Sequence, residues 1–572
     1  MKNCLKGFLI LTMSLVVVFA TATAAWAAVW IDGMELTSGV AFNGEEGTAT
    51  YDEDNGTLSL NNFVYSGTSG ISADGALTID LIGENRVSAA DGSAVESDGN
   101  LTIQGDGALY AEGKGEIYDG IITYGDLTIT GENTTVTAKS ECSNGIISYE
   151  DITIDNATVK AEGKYDGISA VDTYVDDGIY DGSITITGGN VEAKGENYGI
   201  WAGNVLTIGD AEVSAEGREG GIYTDEDVTI KDSEVSATGE SYDGINVKGD
   251  LTITGETTTV TAKSTYGNGI ISYGNITVDD ATVKAEGGYR GIIAFDENIN
   301  DDKVVVIAIT GGNVEAKGTG WVDDGIHSDD GIIPRGICSD GDITITDSTV
   351  TAEGVAEGIS LYDDLTIKDS TVTAVGEELY GIDTMGNIVI DNATVKAEGK
   401  CNGMSAGGVY ADDDIYDGMM TITNSTVEAK GESYYGILAS FGLTIDDATV
   451  KAEGGTSGIC TEGDLTVEAS AMTVKGGKWG IWTKGDITIV GGTLTASGGK
   501  DGVFSAEGIV SIDTDKTPGL SHPPIHYYPV VSDPVEEKPE VESPKTFDGG
   551  IALQIAMTAL ALTGSAWLMK KD

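Results

Sequence analysis

Short apolar pulses, separated by glycine and by Asp/Asn pairs, run through most of this chain. In the segment Gly145 to Gly163 they fall at Ile146, then Ile152 and Ile154, then Val159 and Ala161. Within the second and third pulses polar and apolar residues alternate strictly, which is the two-residue period of a strand and not the 3.6-residue period of a helix. The Gly and Asp-Asn pairs between pulses supply corners. Gly-Ile pairs mark the start of each unit, from Gly120-Ile121, Gly145-Ile146 and Gly167-Ile168 through to Gly480-Ile481, with Gly403-Met404 and Gly502-Val503 as variants. Most steps are about 22 residues, a period that points to a solenoid before any other architecture.

Three pulses per period predict three strands per turn, so the fold class is all-β. The expected architecture is a right-handed parallel β-helix of about eighteen rungs, roughly 90 Å long at about 4.8 Å per rung. One rung alone cannot cover its aliphatic side chains. Stacked rungs set Ile on Ile and Val on Val, each burial stabilising by roughly 1.5–3 kcal/mol. Gly120 to Ser140 and Gly244 to Ser264 are near copies that share Asp-Leu-Thr-Ile-Thr-Gly-Glu. The rod therefore grew by duplication of blocks of rungs. A solenoid end exposes its core and needs a cover. Residues 28–69, with Val29 to Gly33, Thr48 to Asp52 and Thr57 to Asn62, predict a small β cap ahead of a helix over 70–513.

Both ends carry other signals. Lys2 and Lys6 precede an apolar run from Gly7 to Ala20, and Ala25-Trp26-Ala27 fits an A-x-A cleavage site. Residues 1–27 thus read as a signal peptide cut after Ala27, with Ala25 at the other small position. Near the C-terminus, seven of the eight prolines fall between Pro518 and Pro544. Residues 514–542 therefore read as an extended spacer. An uncharged apolar run, Ile551 to Met569, follows and is long enough to span a bilayer, with Lys570 and Lys571 behind it.

Charge narrows the partners. The 572 residues include 93 acidic and 31 basic side chains, a formal net charge of -62. Such a field repels nucleic acid and anionic lipid, keeps a β-rich chain soluble and monomeric, and favours cations. Membrane contact is expected only through the C-terminal helix. Of the five cysteines, Cys4 lies in the signal peptide, and Cys142, Cys338, Cys401 and Cys460 sit singly on distant rungs, so they read as free thiols.

Spacer, Ser543-Pro544-Lys545-Thr546-Phe547-Asp548, apolar helix and basic tail together resemble the sorting signal of Gram-positive wall-anchored proteins, over residues 543–572. The resemblance implies that a sortase cuts after Thr546 and joins it to peptidoglycan, with Pro544 and Lys545 as recognition positions. Ser543 and Phe547 depart from the commonest form, where leucine and glycine stand. A plain C-terminal membrane anchor is the alternative, and either one displays the body at the cell surface. The region from residue 29 to about 513 is similar to surface β-helix proteins described as carbohydrate-binding domain proteins. That likeness implies binding of acidic polysaccharide with calcium.

Candidate binding residues follow from the repeat. Aromatics recur just before the glycine at Tyr118, Tyr165, Tyr198, Tyr242, Tyr289, Tyr380, Tyr435 and Trp479, and a solenoid turns such recurrences into ladders along one face. Sugar rings stack on aromatics, but tyrosines also pack on each other to seal a corner. Three insertions fall at one equivalent corner, between first and second strands. They carry Asp176 and Asp177, then Asp301 and Asp302, then Asp412, Asp413 and Asp414, oxygen ligands of the kind calcium prefers. Solvated acidic loops are the simpler reading of the same residues. Catalysis is disfavoured, because the four arginines fall on different rungs and His327 is the one histidine of the body. A fourth insertion, with Trp321, Asp323, Asp324 and His327, is the one break in the repeat where a unique site could lie. The expectation is a wall-anchored, non-enzymatic solenoid that binds polysaccharide or another host-surface ligand. A protein-binding adhesin or stalk is the alternative, and a polysaccharide lyase or hydrolase a more distant one.

Overall fold

The computed structural model describes residues 27–513 except 116, 172–180, 297–303, 321–333, 410–414 and 417. Each turn contributes a strand segment to each of three faces, and from Ile71 onward these pair in parallel with their counterparts one turn away, for about 18 turns; Gly408–Val409 and Ile415–Tyr416 form a separate antiparallel pair. On the first face the inward column begins Ile71, Val95, Ile121, Ile146, Ile168, Ile200, Ile222. On the second, Leu127, Ile152, Ile184 and Leu206 stack, and on the third, Val136, Val159, Val191 and Val213. These side chains are all buried. β-Branched residues suit this arrangement because the stack repeats one shape at every level. Met404, between Ile382 and Ile437, fits the same seat with an unbranched chain.

The corner between second and third faces takes a left-handed residue. Asn156, Asp210, Asp232, Asp280, Asp347, Asp369, Asn392, Asn424 and Asp447 have φ between 47° and 54°. Asn and Asp tolerate that region better than other L-residues, which is why Asx pairs punctuate the sequence there. Ala469 holds the same corner at φ 47° without that tolerance. The corner between first and second faces is tied differently. The Ser148 and Ser272 hydroxyls donate to the carbonyls of Gly125 and Gly249 at 2.8 and 2.7 Å. Asp250 Oδ1 accepts from the Asn275 backbone at 2.7 Å, one rung on.

Solvent sees a regular charge pattern on the third face. Its last outward column reads Lys139, Glu162, Lys194, Glu216, Thr238, then Lys263, Glu286, Lys317, Glu353, Val375, then Glu398, Lys430, Glu453, Lys475, Ser497. Lys139–Glu162, Lys194–Glu216 and Lys317–Glu353 close to 3.2, 2.7 and 3.1 Å. Such exposed pairs stabilise by about 0.2–1 kcal/mol each.

At the N-terminal end the ladder changes sense. Val29–Ile31 pairs antiparallel with Ile71–Ala73, and Ala41–Asn43, Glu46–Asp52 and Thr57–Gly67 form an antiparallel run whose last strand pairs in parallel with Leu77–Ala89. Phe63 is buried there, and Phe42 and Tyr65 pack against the core. Among the described residues no helix is long and apolar enough to cross a membrane. The expected spacer, sorting residues Pro544, Lys545 and Thr546, apolar run and signal residue Ala25 lie outside the described residues, and Ala27 is buried.

Candidate functional site: two aromatic clusters on the first face

Most strands of the first face follow one pattern, x-Gly-Ile-x-small, in which Ile and the small residue point inward and both x residues point outward. Tyr198-Gly199-Ile200-Trp201-Ala202 is an example. Two outward columns result. One runs through Asp119, Asn144, Asp166, Tyr198 and Gly220, then Asp243, Asn268, Arg290, Arg335 and Glu357. The other begins Ile122, Ile147, Ser169, Trp201, Tyr223 and Asn246.

The eight aromatics expected as one ladder divide between two registers. Tyr198, Tyr380, Tyr435 and Trp479 occupy the first outward column, paired one rung on with Gly220, Asn402, Ser457 and Asp501. Tyr118, Tyr165, Tyr242 and Tyr289 sit one residue earlier, and Asp119, Asp166, Asp243 and Arg290 take the column position instead. The difference is one residue, Tyr-Gly against Tyr-Asp-Gly or Tyr-Arg-Gly, and in a strand one residue reverses the direction of the side chain. No two of the eight are therefore stacked neighbours in one column. Tyr165 and Tyr242 are 52% and 60% exposed, whereas the column aromatics are half-buried.

Aromatics gather instead where both outward columns carry them. Tyr198 lies 5.8 Å from Trp201 and 5.0 Å from Tyr223, and Trp201 and Tyr223 meet edge-on at 6.1 Å. The same constellation recurs near the C-terminal end: Trp479 lies 6.4 Å from Trp482 and stacks on Phe504 at 6.0 Å. Trp201 pairs with Tyr223 in register as Trp482 does with Phe504. A third pair, Tyr124 and Tyr149, stacks at 5.0 Å beside the apolar ridge of Ile122, Ile147 and Val171.

Beside the first cluster lies an open pocket of about 210 Å³, lined by Tyr198 of that cluster and by Glu219, Gly220, Tyr242, Asp243 and Asn246. Gly220 opens it. A Cβ there would stand 3.2 Å from two ring carbons of Tyr198 and 3.1 Å from the Asp243 carbonyl oxygen, so any other residue must push the ring aside. In the next block Arg335 takes the place of Tyr198 and Glu357 that of Gly220. They pair at 2.6 Å, so side chains fill the space that Gly220 leaves open.

The polar wall is rich in acceptors. Tyr223 donates its hydroxyl to Asp225 Oδ1 at 2.9 Å, and Asn246 donates to Asp243 Oδ2 at 2.7 Å. Asn268 donates to Asp243 Oδ1 through both its backbone and its side chain, each at 2.8 Å. Asp225 Oδ2 and Asn246 Oδ1 are buried without a hydrogen-bond partner. Burial raises the pKa of Tyr198 and Tyr223, and neighbouring carboxylates add to it, so both stay protonated as donors. Burial likewise raises the Asp243 carboxyl and pushes that of Asp166 up to about 7.

The calcium candidates Asp176, Asp177, Asp301, Asp302, Asp412, Asp413 and Asp414 lie outside the described residues, as do Trp321, Asp323, Asp324 and His327. The strands that flank the first three insertions do place them between first and second faces. Among the described residues no group of three or more His, Cys, Asp or Glu side chains is placed to hold a metal ion. Two features escaped the sequence reading. Arg290 and Arg335, 45 positions apart in the numbering, stand in register on adjacent rungs. The buried Asp119–Asn144–Asp166 column also went unread, although the Asp or Asn ahead of each Gly-Ile pair was its signal.

Stacked three-faced turns define a parallel β-solenoid, and residues 307–331 match a β-helix repeat. Residues 71–219 and 330–502, together more than half of the chain, match the family model described as carbohydrate-binding domain-containing protein, and the chain belongs to that family. Those stretches hold Tyr198, Trp201, Trp479 and Trp482, while Tyr223 and Phe504 fall beyond them. No curated protein and no solved structure matches the chain.

Proposed function

We propose that this chain is a surface-displayed, non-catalytic solenoid that binds glycan through its first face. The observation that carries the reading is the cavity opened by Gly220 beneath Tyr198, beside Trp201 and Tyr223, with Glu219, Asp243 and Asn246 on its rim. A sugar ring offers an apolar face and a belt of hydroxyl donors. The pocket offers the rings of Tyr198 and Tyr242 for the one and the carboxylates of Glu219 and Asp243 for the other. Family membership supports the same ligand class. Export, anchoring through Thr546 and calcium at the aspartate-bearing loops belong to this proposal as separable parts.

The test is calorimetric titration of the full chain with neutral oligosaccharides chosen from a glycan array, with and without a chelator. Gly220→Leu fills the cavity and should weaken binding at least about tenfold, the equivalent of 1.4 kcal/mol. Trp201→Ala should do the same. Unchanged affinity in both variants would refute the site. Unchanged affinity in chelator would remove calcium from the proposal and leave the site standing.

A further inference from the structure

The two aromatic clusters share a geometry and differ in charge. In the first, Asn197 and Glu219 immediately precede Tyr198 and Gly220, and the Glu219 backbone N–H donates to the Asn197 carbonyl at 2.8 Å. In the second, Lys478 and Lys500 hold those two positions, joined by the same backbone hydrogen bond at 2.8 Å. The neutral and acidic pair has become a basic pair. Lys478 Nζ sits 3.7 Å from the Trp479 ring centroid and Lys500 Nζ 5.8 Å from it.

What sets this lysine pair apart is its setting, two ammonium groups from adjacent rungs beside one indole ring. Most lysines of the third face are neutralised, although Lys263 and Lys475 there form no ion pair among the described residues. Among the described residues neither Lys478 nor Lys500 forms an ion pair, although the chain carries 93 acidic side chains. Asp501 stands opposite Trp479 in the ladder, and neither lysine bridges to it. Partial burial and the neighbouring Lys500 also lower the pKa of Lys478, so an uncompensated charge sits beside the aromatic surface. An arriving anion would relieve that repulsion.

We propose that the Trp479–Trp482–Phe504 cluster is a second subsite, which takes a sugar unit bearing one negative group, with its ring on the aromatic surface and its carboxylate or sulfate between Lys478 and Lys500. The remaining field of the chain sets a limit on the ligand. A net charge of -62 opposes a polyanion over its whole length. The match is therefore an otherwise neutral glycan with an isolated acidic unit, held without a metal. The ring contact rests on the proposal that the chain binds glycan, whereas the anion contact rests on the two lysines alone.

The experiment compares the full chain against lactose, sialyllactose and sulfated lactose, with chelator present throughout. The acidic forms should bind at least about tenfold more tightly than lactose, and the preference should shrink with added salt. Lys478→Gln with Lys500→Gln should abolish the preference and leave lactose binding unchanged. Gly220→Leu should weaken lactose and spare the acidic preference. Preference for sialyllactose alone assigns the anion as carboxylate, and preference for both acidic forms assigns any single anionic group. Equal binding of lactose and its acidic forms, or a preference that survives the double substitution, overturns this inference while the carbohydrate reading stands. Failure of every glycan, on the array and in these titrations alike, overturns the carbohydrate reading itself.

Discussion

Replacement of Asp166 by Asn should stabilise the protein, and by more at pH 8 than at pH 4.5. Asp166 is buried in the outward column of the first face. Its backbone N–H donates to Asn144 Oδ1 at 3.1 Å, and its own Oδ1 accepts from the Tyr198 backbone at 3.1 Å. Among the described residues no lysine or arginine is a main influence on it, and burial is the main cause that raises its carboxyl from 3.8 to about 7, with Glu219 adding to the effect. A folded pKa above the unfolded one means that the fold holds the proton more tightly than the unfolded chain does. The contribution to stability is then fully present below about pH 4, falls as pH rises to about 7, and is flat above that. A rise of about three units at 1.36 kcal/mol each sets a ceiling of about 4 kcal/mol. Relaxation and water entry around a real buried charge reduce that to about 1–3 kcal/mol. Asn keeps the acceptor for Tyr198 and cannot ionise. Urea titrations of both proteins at pH 4.5 and pH 8, followed by tryptophan fluorescence, measure the gap directly. Each comparison is made at one pH, so the titration of the other acidic groups cancels. A gap of equal size at both pH values would show that Asp166 is ionised in the fold, and would refute burial as a force that keeps its proton on.

Two other substitutions test the scaffold. Ala469→Asn should stabilise by about 1 kcal/mol, because it relieves a left-handed corner that Asn and Asp hold on other rungs. Slower amide exchange in that rung would show it, and exchange no slower than wild type would count against it. Glu357→Gln removes a buried carboxylate from the part-buried Arg335 and should cost about 3 kcal/mol, read from the urea midpoint. Arg335→Met combined with Glu357→Leu should recover most of that loss.

The fold was legible because each rung repeats one code. Ile and Val alternate with polar residues, Gly-Ile opens the unit, and Asx pairs turn the corner. The register of the outward residues was harder to read. Tyr242 and Tyr198 both precede a glycine, yet one extra aspartate puts the first outside the column and the second in it. The Arg335–Glu357 closure depends on which rung meets which, and the insertion between Arg290 and Arg335 breaks the count there. The pocket was harder still, because Gly220 is one of 82 glycines and acts through the side chain it lacks.

The Lys/Glu column of the third face bears on how such a chain can lengthen. A five-rung block is odd, so strict alternation carried across copies would set like charges against each other at each junction. Thr238 and Val375, each on the last rung of its block, interrupt the series. Across Thr238, Glu216 is followed by Lys263, and across Val375, Glu353 is followed by Glu398, so both polarities are tolerated. An uncharged final rung acts as an insulator, and a copied block can join the array in either phase. Growth by whole blocks is then electrostatically neutral, whereas gain or loss of one charged rung is penalised. Length in this molecule can change in units of about five rungs, and the reach of its binding face changes by the same step.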